Sequence, residues 1–317
     1  MRKLEGLEWR QRFVEHLGCI KGCLEYLGGE MSFSWLYGGT GHAFIINMNE
    51  TLDVESPYAW NAQMLFALAP NLGYEVDGFS IWKDAAGAEF PQKQREAWDF
   101  VRGCIARGLP CYGWELKAPY GGYWVINGYN DVGYYYSGWE SGGPLPWQKL
   151  GDLFVTLLEV HSVQLCEPAS DSKIVKDALT MALKHAENPK EWIEPQCHSG
   201  PAGFDLWAEA LEAGRAQRDG QWYNTEVWHE CREMAVEFLN EAKQRLPGRC
   251  DAAFDEAAGH YTVVRDKMRA LLELHPEREK PDWESMFASP EGAALVCEAG
   301  AAERKGLECL KRIADLL

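Results

Sequence analysis

The chain has 317 residues, 46% hydrophobic and 25% charged, ordinary proportions for a soluble globular protein with room for two cores. Its net charge of −17 and pI near 4.9 argue against nucleic acid and anionic membrane as partners, because both are bound through clustered Lys and Arg. No apolar run approaches the roughly 18 residues of a bilayer span, and the opening MRKLEGLEWRQRF lacks the apolar core of a signal peptide, so a cytoplasmic protein is expected.

Taken in chain order, residues 8–27 read as an amphipathic helix carrying Phe13, Leu17, Leu24 and the first two cysteines. GGEM ends it, and Ser32 or Ser34 caps a short second helix. HAFIINM, 42–48, reads as a buried strand, followed by a helix near 58–68 and a strand near 74–82. Residues 91–107 have the punctuation of a helix, with Pro91 at the start and Gly108 just past the end. Four strands are then expected, in PCYGWEL, YWVINGY, VGYYYSG and LFVTLLEVHSV, the middle two joined at Asn130-Asp131. Alternation puts Tyr123, Val125 and Asn127 on one strand face and Trp124 and Ile126 on the other.

Nine of the fourteen tryptophans fall at or before Trp147, and beyond about residue 170 the texture turns to Ala, Glu, Lys and Leu at helical spacing. The linker CEPASDS, 166–172, therefore marks a boundary: residues 1–168 form an α+β domain and 169–317 an all-α helical bundle. Two stripes announce the bundle core, Trp228, Cys231, Ala235, Phe238 and Ala242 on one helix and Phe254, Ala257, Tyr261, Val264, Met268 and Leu271 on the next. GRC, 248–250, turns between them, and a final helix over about 291–316 docks through Leu307, Leu310 and Ile313.

The ten cysteines are Cys19, Cys23, Cys104, Cys111, Cys166, Cys197, Cys231, Cys250, Cys297 and Cys309; no two make a CxxC pair. This suits a reducing compartment better than a disulfide framework. Short ligand spacings of the structural-zinc kind are missing, CH at 197–198 and HEC at 229–231 reading as ordinary residues, so no metal is expected. Neither a phosphate-binding GxxxxGK[ST] or GxGxxG loop nor GxSxG or HExxH occurs, and no cofactor is expected.

LGCIKGCLEYLGGEMSFSWLYGGTGHAF, then GLPCYGWEL, then YWVINGYNDVGYYYSG, resembles the butirosin-biosynthesis-protein-H N-terminal family over roughly residues 10–165. The resemblance implies a papain-like, peptidase-C39-like fold, with a helical domain of the kind attached to some of these proteins. The family namesake is an acyltransferase that moves an aminoacyl group from a carrier protein to an aminoglycoside. In such enzymes a thiolate attacks a thioester or amide carbonyl while a histidine moves the proton and an Asp or Asn orients the ring.

By that resemblance the nucleophile falls on Cys19, and the place of the catalytic histidine is held by Tyr123. With a phenol pKa of about 10, tyrosine is a poor base at neutral pH, though it hydrogen-bonds and stacks well. His42 in GGTGHAF is the substitute base; His16 precedes Cys19 by three residues, and His161 reads as structural. Trp35, Tyr37, Trp114, Tyr123, Asn127 and Trp139 fall in segments that border a papain-like cleft and could line a ligand site. Three readings follow. The first is a pseudoenzyme that binds a small molecule or an acyl or peptidyl group. The second is a cysteine acyltransferase or amidase using Cys19 with His42. The third is an oligomeric protein, such as a homodimer, whose cleft is filled.

Overall fold

A computed structural model describes residues 1–59, 63–118, 121–190, 192–248, 250–280 and 282–317. The chain divides into two compact units, one joining Met1–Ser32 to Gly73–Pro168 and the other joining Phe33–Leu72 to Ala169–Leu317. Residues 33–72, assigned from sequence to the α+β domain, thus pack with the helices of the second unit.

The first unit is built on an antiparallel sheet. Its strands run in the order Tyr74–Trp82, Leu157–Leu165, Cys111–Trp114, Tyr123–Tyr129, Gly133–Ser137 and Ser141–Pro146. The short strand Arg2–Lys3 pairs with the far end of Tyr123–Tyr129, at Tyr129 and Gly128. Between Asn130 and Gly133 the expected turn forms, Asn130 Oδ1 accepting from the backbone N–H groups of Val132 and Gly133. The edge strand Ser141–Pro146 was not expected, because Gly142, Gly143 and Pro144 disguise it; an edge tolerates the missing proline N–H.

One helix covers each face of this sheet. On one side Glu15–Tyr26 brings His16 against Tyr112, Tyr123 and His161. On the other, Phe90–Ala106 sets Trp98 edge-on to Tyr129 and Tyr134 at 5.8 and 5.0 Å between ring centres. The first helix begins at Glu15 rather than residue 8. Residues 8–10 instead run close against it: a Cβ on Gly18 would lie 2.2 Å from Arg10 O, and one on Gly22 2.0 Å from Glu8 O. Two glycines at i and i+4 make one shallow groove, which only a bare backbone leaves open.

The second unit contains the helices Asp171–Ala186, Gly200–Glu212, Arg218–Arg245, Asp251–Leu274 and Pro290–Leu316, with the two-turn helix Phe33–Gly39 packed among them. Both expected stripes are buried along their lengths. Ser170 caps the first of these helices by accepting from Lys173 N–H. HAFIINM is buried as expected, but His42–Phe44 is a 3-10 turn and only Asn47–Asn49 is strand, paired with Cys197–Ser199. Of the expected 58–68 helix, Gln63–Leu68 is helical, and 60–62 lie outside the described residues. Arg232 ties this core together: its guanidinium makes two 2.9 Å bonds to Glu303 and donates to the carbonyls of Ala43 and Ile45. Among the described residues no helix is long and apolar enough to cross a membrane.

Candidate functional site

At the start of the Glu15–Tyr26 helix, where the resemblance leads one to expect a catalytic cysteine and base, lies a closed polar cluster. Glu15 accepts from the backbone N–H of Tyr123 at 3.2 Å and from Trp139 Nε1 at 3.0 Å. Glycine is required at position 122, where φ is +104° and a Cβ would lie 2.1 Å from the Glu15 carboxylate. The Tyr123 hydroxyl donates to Glu159 Oε2 at 3.2 Å, and the other Glu159 oxygen is 2.7 Å from His161 Nε2. His16 Nε2 is 2.9 Å from the Tyr112 hydroxyl, and its ring lies 4.3 Å from that of Tyr123. Trp114 closes the side of Tyr123 at 5.0 Å between ring centres.

Every one of these groups except Trp139 is buried. Burial, reinforced by the Glu159 charge, pushes the Tyr123 phenol well above its usual range, so it stays protonated and acts as a donor. Cys19 is fully buried, and burial, then Cys23 and Glu15, push its thiol well up. A nucleophilic cysteine needs the reverse, an electropositive and partly open setting. The thiol held below its ordinary value is Cys104, lowered to about 6 by a hydrogen bond from Cys111, with Ser162 and the Arg107 cation helping against burial. It too is buried, on the sheet face away from the cluster.

The remaining expected site residues sort by unit. Cys19 belongs to the first unit and His42 to the second. His42 is buried there with Nδ1 3.4 Å from Cys231 Sγ, and burial with the nearby Arg232 cation lowers its pKa to about 3, far below that of a useful base. Trp35 and Tyr37 are also in the second unit, Trp35 beneath the Arg245 guanidinium at 4.0 Å and Tyr37 donating to Glu230 at 2.5 Å. Trp114 and Tyr123 belong to the closed cluster, Trp139 bonds to its Glu15 and packs on Trp9, and Asn127 lines an opening.

That opening is a cavity of about 370 Å³ in the first unit, lined by residues 3–9 together with Asn127, Ser137 and Ser141. Asn127 owes its place to a β-bulge. Opposite Tyr136 and Tyr135 stand Ile126 and Gly128, so Asn127 is the extra residue and breaks the alternation that began at Tyr123. Its Oδ1 is buried without a hydrogen-bond partner in the protein. Nε1 of Trp9, a second wall residue, is also buried without a partner, but it faces the Glu15–Tyr26 helix, where a Cβ on Gly18 would lie 3.1 Å from it; the Trp9 ring packs on Trp139 at 4.9 Å between centres. Each orphaned group costs stability unless something pairs it.

Asn127 and Trp139 are among the residues expected from sequence to line a site, and His161 was expected to be structural, but Trp9, Glu15 and Glu159 were not singled out. Glu159 and His161 were legible, since LLEVHSV puts both on one strand face. Trp9 was not, because its position depends on the Gly18 and Gly22 groove. Compared with known proteins, the chain matches no protein-family model and no curated protein.

Proposed function

We propose that the chain is a non-hydrolytic ligand-binding protein on a papain-like scaffold, and that the ligand enters the cavity between residues 3–9 and the bulge at Asn127. The observation that carries this reading is Asn127 itself, a buried amide set by a bulge into the wall of a cavity with its oxygen unpaired. A volume near 370 Å³ falls in the usual range of small-molecule sites, which runs from about 300 to 1,000 Å³. An amide N–H on the ligand would satisfy Asn127 Oδ1, which favours an acylamino or short peptidyl ligand. Against the acyltransferase alternative stand the buried, protonated thiol of Cys19 and the low basicity of His42.

The test is a thermal-shift screen with dipeptides and N-acyl amino acids, run on the wild type and on Asn127→Leu. A positive result is a compound that raises the wild-type Tm while leaving N127L unmoved, with the circular dichroism of the variant unchanged. A panel without any shift, or equal shifts in both proteins, contradicts the assignment.

A further inference from the structure

Away from the cavity, in the helical unit, the Asp251–Leu274 and Pro290–Leu316 helices pack along each other and bring three donors of different chemistry together. Glu256 and His260 are four residues apart, so they share a helix face. Cys309 comes from the facing helix, and one ligand atom from each residue lies within 4.8 Å of the other two. The three grade from exposed Glu256 through half-buried His260 to buried Cys309, a polar mouth over a sulfur floor. A cation already sits there. Arg312 Nη2 donates to Glu256 at 2.6 Å and to Cys309 Sγ at 2.9 Å, and the Arg312 side chain is 53% exposed, free to withdraw into water.

We propose that Glu256, His260 and Cys309 form a binding site for a thiophilic divalent metal ion, zinc foremost, which takes the position of the Arg312 guanidinium. The donor set selects the metal: thiolate and imidazole favour zinc over magnesium and calcium, which want oxygen alone. Zinc bonds of about 2.0–2.3 Å in a tetrahedron bring ligand atoms to within about 4 Å of one another, so a small rotamer adjustment closes the set. Three protein ligands leave the fourth position to water at the exposed Glu256 side, the arrangement of an open rather than a sealed site. Binding ionises the Cys309 thiol: the sulfur–hydrogen bond breaks, the proton leaves to solvent, and the sulfur lone pair forms the metal bond. Affinity therefore rises with pH.

Cobalt(II) titration of the full chain reads the site directly, because a thiolate ligand adds a charge-transfer band in the near ultraviolet. The expected result is one equivalent with that band, displaced by zinc. Cys309→Ser abolishes the band, whereas Cys297→Ser, which removes the exposed thiol on the same helix, leaves it intact. His260→Ala weakens binding by about tenfold or more, and Arg312→Gln strengthens it by removing the competing cation. Should C309S misfold, R312Q still decides. Absence of the band in wild type and R312Q, or its persistence in C309S, overturns the proposal.

Discussion

Ahead of the bulge, the side chains of the Tyr123–Tyr129 strand alternate as any strand's do, and Tyr123 turns toward the Glu15–Tyr26 helix. Its hydroxyl meets Glu159, and Glu159 meets His161, so the place that resembles a catalytic base holds a donor locked by a carboxylate. Four residues after Tyr123 the pattern breaks, and Asn127 lines a cavity instead of continuing the face. Tyr123 and its neighbours were legible from period-two alternation. The bulge was not, because it is a property of two strands in register, and nothing in YWVINGY alone announces an extra residue. The same scale decides thiol reactivity. In native protein, iodoacetamide should label exposed Cys297 and half-buried Cys166 first, with Cys19 among the protected thiols until the protein unfolds. Mass spectrometry of the modified peptides checks this, and rapid selective labelling of Cys19 would restore the acyltransferase reading.

Among the elements, the glycines of the Glu15–Tyr26 helix connect local sequence to the site. Gly18 and Gly22 admit residues 8–10, and this segment carries Trp9 into the cavity wall. In sequence nothing marks the two glycines as a groove. Their use becomes visible only when the packing partner is known, which is also why the helix start was set at residue 8 rather than at Glu15. Gly22→Ala should cost about 1–3 kcal/mol through overpacking and displace that wall, seen as a lower urea midpoint and a perturbed Trp9 indole resonance; an unchanged midpoint and resonance would contradict the close packing. In the helical unit, the buried Arg232–Glu303 pair links two long helices. Glu303→Gln removes the compensating charge and should destabilise by about 3–5 kcal/mol. Replacing both partners together, as R232M/E303L, should recover much of that loss in equilibrium unfolding. If the double variant were no better than E303Q alone, the uncompensated charge would not be the cause.

For the molecule as a whole, the apolar stripes identified the helical bundle core well, because a period near 3.6 survives in any helix that packs on neighbours. They could not show that residues 33–72 join it. That segment is short-range ambiguous: its burial comes from Phe238, Arg245 and Arg232, about two hundred residues away in sequence. Its His42, with His185, makes the helical unit acid-sensitive. Burial depresses both imidazoles to about 3, helped by the Arg232 cation and, at His185, by His42. Both stay neutral in the fold but take up protons near pH 6.5 once unfolded, so stability is full above about pH 6.5 and is lost as pH falls toward 3. Between pH 7 and 5 each histidine should cost about 2 kcal/mol, measurable as a falling urea midpoint whose slope His42→Asn reduces; equal midpoints at the two pH values would refute buried neutral imidazoles.

An acylamino or peptidyl ligand in the cavity would pair the orphaned amide of Asn127 beside the Trp9 ring. The side-chain amide resonances of Asn127 and the indole N–H resonance of Trp9, followed by two-dimensional NMR during titration with a dipeptide or N-acyl amino acid that raises Tm, test it most directly. The expected result is that both signals move together and saturably, and that both responses vanish in N127L. Binding that leaves these two signals in place while others shift would contradict it.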